Sequence, residues 1–110
     1  MTLGEKQRKF SRMVALLIIH AYEMGYEITL GEAYRTPEQA EWNAQRGKGV
    51  INSLHCERLA IDLNLFKDGN YLPNTIDHKP LGELWEQMGG AWGGRFGDGN
   101  HYSLEHEGRK

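Results

Sequence analysis

The stretch Ser53–Phe66, SLHCERLAIDLNLF, carries the alternation that decides how this chain folds. From Leu59 onward, apolar Leu59, Ile61, Leu63 and Leu65 alternate with Ala60, Asp62 and Asn64. A period of two is the mark of a half-buried strand, with one face in a core. Asp62 then stands on the polar face, although aspartate is a poor strand former. His55 falls seven residues earlier, in the loop that enters the strand. With Cys56 and Glu57 between them, the stretch offers four side chains that could hold a metal.

On either side of this strand the pattern is equally regular. Phe10, Met13, Val14, Leu17, Ile18 and Ala21 recur at helical spacing and predict an amphipathic helix over 5–23, stopped near Gly25. YEITL (26–30) alternates as a short strand. TPEQ (36–39) is a helix start, with Thr36 as cap, Pro37 in the first turn and Gln39 at the capping-box position. That helix should end near Arg46, where RGKG follows. KDGN (67–70) is a hairpin turn signal, with Tyr71–Leu72 beginning the return. LGELWEQMG (81–89) predicts a third helix. The glycine-rich segment 89–99 is expected to be loop, and HYSLEH (101–106) a final strand. The fold class is therefore α+β, a small and mostly antiparallel sheet flanked by about three helices.

The 110 residues argue for one domain, 1–110, with one modest core. Thirteen Lys+Arg against fifteen Asp+Glu leave a formal charge of −2, which offers no electrostatic footprint for nucleic acid. The longest apolar run, MVALLII, is too short to span a bilayer, and the N-terminus is too polar for a secretory signal. Synthesis in the cytoplasm without an export address, no stable membrane association and a monomeric state are the expectations. One cysteine excludes an internal disulfide and any CxxC zinc site.

A catalytic zinc site takes three protein ligands and leaves a position open, whereas a structural one is usually closed by four. His55, Asp62 and His101, at the head of the last strand, could converge if their two strands pair. Asp98, three residues before His101, would put a second carboxylate beside the metal, where a general base for water belongs. Spacing alone leaves the alternatives open. His55 could cap a backbone group, Asp62 could be a solvated strand residue, and Asp98 could serve the GDGN turn.

The combination is more specific than its parts. SLHCERLAID resembles the SxHxxGxAxD signature of the M15 zinc peptidases, the D-alanyl-D-alanine peptidase and phage endolysin family. AWGGRFGDGNHY (91–102) resembles that family's second signature, and YRTPEQAEWNAQRG (34–47) its upstream helix start. The likeness runs from about Leu30 to Leu104. It implies a hedgehog/DD-peptidase-like fold with zinc at the sheet edge, held by His55, Asp62 and His101. It implies Asp98 as catalytic carboxylate and Arg35 as the arginine facing the scissile carbonyl or a substrate carboxylate. Ser53 falls on the signature serine, a substrate or supporting hydrogen-bonding residue. The short form is most similar to phage L-alanyl-D-glutamate endopeptidases acting on bacterial peptidoglycan. Such an enzyme would be made in the host cytoplasm and reach the wall through a partner such as a holin, or after lysis. The same site with another pocket would serve a D-alanyl-D-alanine carboxypeptidase or dipeptidase, and a non-catalytic zinc-stabilised wall-binding module is a third possibility. Arg58 departs from the pattern, standing where glycine is usual. A left-handed turn there would be strained by arginine, so a different local backbone is expected.

Other candidates weigh less. Cys56 adjoins His55 and should point away from it as an inert buried thiol. Glu57 is expected to be a solvated charge and His20 a helix-surface or packing residue. His78 is expected to serve its own turn, and His106 to face away from the site. Tyr102 should point into the packing. Among the tryptophans, Trp92 is the one expected to line the substrate cleft.

Overall fold

The computed structural model describes residues 1–47 and 52–110. The chain begins with helix α1, Leu3–Glu23. Thr2 and Glu5 close a capping box at its start, which satisfies two of the free N–H groups there. The helix buries Phe10, Met13, Leu17 and Ala21, four of the six residues its periodicity marks. Strand β1, Glu27–Leu30, follows Gly25. Helix α2, Pro37–Gln45, starts at the Thr36 cap as its sequence predicts. The expected RGKG stop lies partly outside the described residues.

A single 3₁₀ turn, Leu54–Glu57, leads into strand β2, Ala60–Lys67. Strand β3, Asn70–Leu72, returns after a turn with Asp68 and Gly69 at φ 52° and 78°. Two positive angles in a two-residue connection match the right-handed twist of the flanking strands. Helix α3, Lys79–Gln87, begins two residues before the expected start, because Pro80 occupies its first turn. Strand β4, Ala91–Trp92, and a 3₁₀ turn, Gly93–Phe96, precede strand β5, His101–Ser103.

All the strand pairings are antiparallel, with β2 central. One edge of β2 pairs with β1, Leu30 opposite Leu63. Its other edge pairs with β5 near the start and β3 near the end, Asp62 opposite His101 and Leu65 opposite Leu72. The core lies on one face of this sheet. It joins Leu59, Ile61, Leu63 and Leu65 to the buried face of α1 and to Leu81 and Trp85 of α3.

Two expectations are corrected. The segment 89–99 is not all loop, because Ala91 and Trp92 pair with Ser103 and Tyr102. Its glycines serve packing as much as turning. A Cβ on Gly94 would lie 2.2 Å from the Trp92 ring, so the indole can sit there only against glycine. The last strand ends at Ser103 rather than at residue 106; His106 forms an isolated bridge with Arg109 instead.

Tyr102 and His78 form a buried polar pair behind the sheet. The hydroxyl and the imidazole Nδ1 are 2.8 Å apart, with His78 2% and Tyr102 0% exposed. His78 thus ties α3 to β5 rather than serving its own turn, and burial pushes its pKa down. Tyr102→Phe removes that partner while filling the same volume. An unpaired buried nitrogen costs about 1–3 kcal/mol. The variant should therefore melt several degrees lower by thermal denaturation, with unchanged zinc content.

Candidate metal centre

Asp62 is held on both sides by backbone. Its N–H donates to Glu32 O at 2.9 Å, and its carbonyl accepts from Gly31 N at 2.8 Å. Across its other edge it faces His101 in register, and Leu63 N–H donates to Asn100 O at 2.9 Å. The aspartate that breaks strand propensity is thus fixed at the centre of the sheet, and its polar face presents the carboxylate to both histidines.

Ser53 caps the 3₁₀ turn that carries His55, its Oγ accepting from His55 N at 3.1 Å. His55 Nδ1 lies 3.0 Å from Ala33 O, an arrangement that directs the other ring nitrogen elsewhere. That nitrogen, Nε2, is 3.4 Å from Asp62 Oδ1. His101 approaches the same oxygen from β5, with Nδ1 at 3.6 Å. One donor atom from each of the three residues lies within 4.8 Å of the other two. His55 and His101 are buried and Asp62 is half-buried.

The electrostatics fit a cation. Burial pushes the Asp62 pKa up, but the two histidines outweigh it and hold the carboxyl well below the usual carboxylate range. Burial opposes charging His55; its contacts with Asp62 and Ala33 O prevail and raise its pKa. His101 Nε2 is buried and, among the described residues, has no hydrogen-bond partner. An orphaned imidazole nitrogen costs about 1–3 kcal/mol unless something satisfies it. Two imidazoles and one carboxylate, with no fourth donor in the group among the described residues, match the donor set of a catalytic zinc site.

These residues sit in a cleft of about 720 Å³ that Arg35, Ser53 and Asp98 also line. Asp98 is exposed and outside the three-residue cluster. Its backbone is fixed by Asp98 N to Gly93 O at 2.9 Å and His101 N to Asp98 O at 3.1 Å. Gly93 permits this closure, because a Cβ there would stand 2.3 Å from Asp98 O and 2.7 Å from the His101 Cβ. Arg35 N–H donates to His55 O at 3.2 Å. Its guanidinium Nε donates to Glu32 Oε1 at 2.9 Å, and the same carboxylate oxygen is 3.8 Å from His55 Nδ1.

Trp92 is a correction. Its indole is 4% exposed, packs into the core and donates from Nε1 to Gly99 O at 2.8 Å. It therefore supports the loop under the site and does not line this cleft. Phe96 does line it, with its ring centre 5.9 Å from that of His101. Phe96 lies within the AWGGRFGDGNHY signature but was given no site role in the sequence, and Glu32 was not singled out at all. The aromatic four residues beyond Trp92 was a usable signal for the first; Glu32 enters only through tertiary contact. Cys56 is half-buried, points its sulfur towards Thr36 O at 3.9 Å and has a pKa raised by burial, which suits an inert thiol.

Arg58 also departs from its expectation. The backbone does not change to suit arginine: Arg58 takes the left-handed conformation, φ 56° and ψ 35°. Its guanidinium lies 4.0 Å from the Tyr34 ring centre. Such stacking is worth about 0.5–1 kcal/mol at exposed sites, which offsets part of the roughly 1–2 kcal/mol that a left-handed residue other than glycine costs.

A helix-flanked antiparallel sheet with two histidines and an aspartate lining a cleft is an arrangement that could hold a catalytic metal ion. Residues 46–104 match the family model Peptidase_M15_4, described as D-alanyl-D-alanine carboxypeptidase, and the chain belongs to that family of zinc peptidases. The fold is similar to that of the Serratia marcescens L-Ala D-Glu endopeptidase ChiX, with a TM-score of 0.75 and 16% identity over 93% of this chain and 85% of that one. It is also similar to a mutant of the vancomycin-resistance D,D-pentapeptidase VanY from a VanB-type cassette, in complex with Zn(II). There the TM-score is 0.62 and the identity 20%, over 87% of this chain and 70% of that one. A search of the curated proteins finds no match.

Proposed function

We propose that residues 1–110 form one catalytic domain of a zinc-dependent peptidoglycan peptidase, a phage endolysin that cleaves the L-alanyl-D-glutamate bond of stem peptides. The observation that carries this reading is the meeting of His55, Asp62 and His101 within 4.8 Å in a cleft that also holds Asp98 and Arg35. A structural metal site has no need of an open cleft or a further carboxylate.

In this reading His55, Asp62 and His101 hold the zinc. Bound there, zinc supplies a Lewis acid that makes water a nucleophile near neutral pH and polarises the scissile carbonyl. Asp98 takes the proton of the attacking water and returns it to the leaving amine. Arg35, steadied by Glu32, faces the negative charge that develops on the carbonyl oxygen or a carboxylate of the substrate. Ser53 holds the turn that aims His55. Phe96 gives the cleft an apolar wall against which a peptide side chain can pack. Synthesis in the host cytoplasm, release to the wall through a holin and action as a monomer complete the proposal.

The family's description favours a second reading, a D-alanyl-D-alanine carboxypeptidase or dipeptidase with the same centre. One experiment separates the two. Permeabilised cells should lose turbidity on addition of the zinc-loaded protein, and a chelator should abolish the loss. Mass spectrometry of the digested muropeptides should show a free L-alanine carboxyl and a new D-glutamate amine. Release of D-alanine alone establishes the second reading, and chelator-insensitive lysis refutes both.

A further inference from the structure

The chain does not finish at β5. After Leu104 it turns back on itself: His106 N donates to Arg109 O at 3.1 Å, and Arg109 N to His106 O at 3.0 Å. The two residues between, Glu107 and Gly108, have φ of 51° and 78°. Both central residues at positive φ make a tight primed hairpin turn, a specific structure rather than a trailing end. Lys6 of α1 pins its base, with Nζ donating to Glu105 O at 3.0 Å and lying 3.2 Å from His106 Nδ1. This hook lies beyond residues 46–104, the part of the chain that the family model matches.

The hook delivers Gly108, Arg109 and Lys110 to the wall of the cleft that contains His55, Asp62 and His101. Arg109 is anchored there much as Arg35 is. Its Nη1 donates to Asn52 O at 3.1 Å, and its Nη2 stands 3.7 Å from Glu57 Oε1. Arg35 has Glu32 behind it, Arg109 has Glu57, and both arginines line the same cleft. The Arg109 side chain keeps 27% of its surface exposed. A guanidinium has five N–H donors in a fixed fork, so two anchoring contacts leave donors for a ligand. Three cationic side chains along one cleft suit a peptide with more than one carboxylate.

We propose that the C-terminal hook is a substrate-reading arm, in which Arg109, with Lys110 beside it, binds a side-chain or α-carboxylate of an acidic peptide at a position separate from the one facing Arg35. The assignment rests on the peptidase reading above. It makes Arg109 a specificity residue for free carboxylates, and amidation of the substrate's acidic residue a way to evade it.

The test uses the full zinc-loaded chain and two synthetic stem peptides that differ only in whether the D-glutamate α-carboxylate is free or amidated. Arg109→Gln keeps a donor for Asn52 O and loses the charge. It should raise KM for the free acid by about tenfold, the usual worth of one charge-assisted contact, with kcat little changed. For the amidated peptide its KM should stay within about twofold of wild type, and Arg109→Lys should recover part of the loss on the free acid. An equal loss on both peptides would mean that Arg109 only staples the hook, which overturns the arm and leaves the peptidase reading intact. If wild-type protein cleaves neither peptide nor any purified muropeptide, the peptidase reading falls and the arm with it. A thermal melt accompanies each variant; a selective KM change at wild-type stability is the signature of recognition.

Discussion

His101→Ala should give a folded protein that binds little zinc and has lost activity by about a thousandfold or more, some 4 kcal/mol of transition-state stabilisation. The physical basis is the small donor set. Three residues converge, so removing one leaves a single imidazole and a carboxylate, too few for a firm site. The folded state should survive the change. His101 Nε2 is a buried nitrogen without a hydrogen-bond partner among the described residues. Deleting the ring removes that penalty while opening a cavity, and the two terms oppose each other. Zinc should therefore raise the melting temperature of wild type far more than that of the variant. A ligand at a hundred times its Kd adds about 2.7 kcal/mol to a protein that binds it only when folded. Elemental analysis and paired melts with and without zinc check both parts. Full zinc occupancy in the variant would show that His101 is not a ligand.

How much of this centre the sequence discloses depends on whether a residue's role is local. Asp62 is legible because strand periodicity puts it opposite the core-facing leucines, whatever lies across the sheet. His101 is legible because DGNHY ends a glycine-rich segment where a strand resumes, and register then sets it against Asp62. Arg58 was misjudged in the other direction. Glycine is the easy occupant of a left-handed position, but an arginine with Tyr34 beneath it can occupy the same backbone. Trp92 was misread because glycine-rich composition suggests an open loop. Here Gly82 and Gly94 are the floor and wall of a slot for its indole, a fact of tertiary packing with no local mark. The far wall of the cleft was invisible for the same reason. Asn52, Glu57 and Arg109 meet across more than fifty positions of sequence, and neither periodicity nor motif joins them.

Asp98→Ala should separate binding from chemistry: zinc retained, stability close to wild type, turnover down by about 10²–10⁴, the usual contribution of a positioned general base. The separation follows from what Asp98 holds and how. Its structural duties are done by backbone atoms, the N–H to Gly93 O and the carbonyl to His101 N, and alanine preserves both. The side chain itself is exposed, so truncation opens no cavity and strands no buried partner. It stands outside the cluster that could hold a metal yet lines the same cleft, where the proposed mechanism has its carboxylate serve the substrate side. Asp98→Asn sharpens the test, since the amide keeps the shape and cannot accept a proton as a base. Both variants should be equally slow on muropeptides and equally zinc-replete by elemental analysis. Asp98→Glu restores a carboxylate on a longer arm and should regain part of the rate. A zinc-replete Asp98→Asn protein with near wild-type turnover would remove Asp98 from proton transfer and leave Arg35 and the metal centre to carry the reaction.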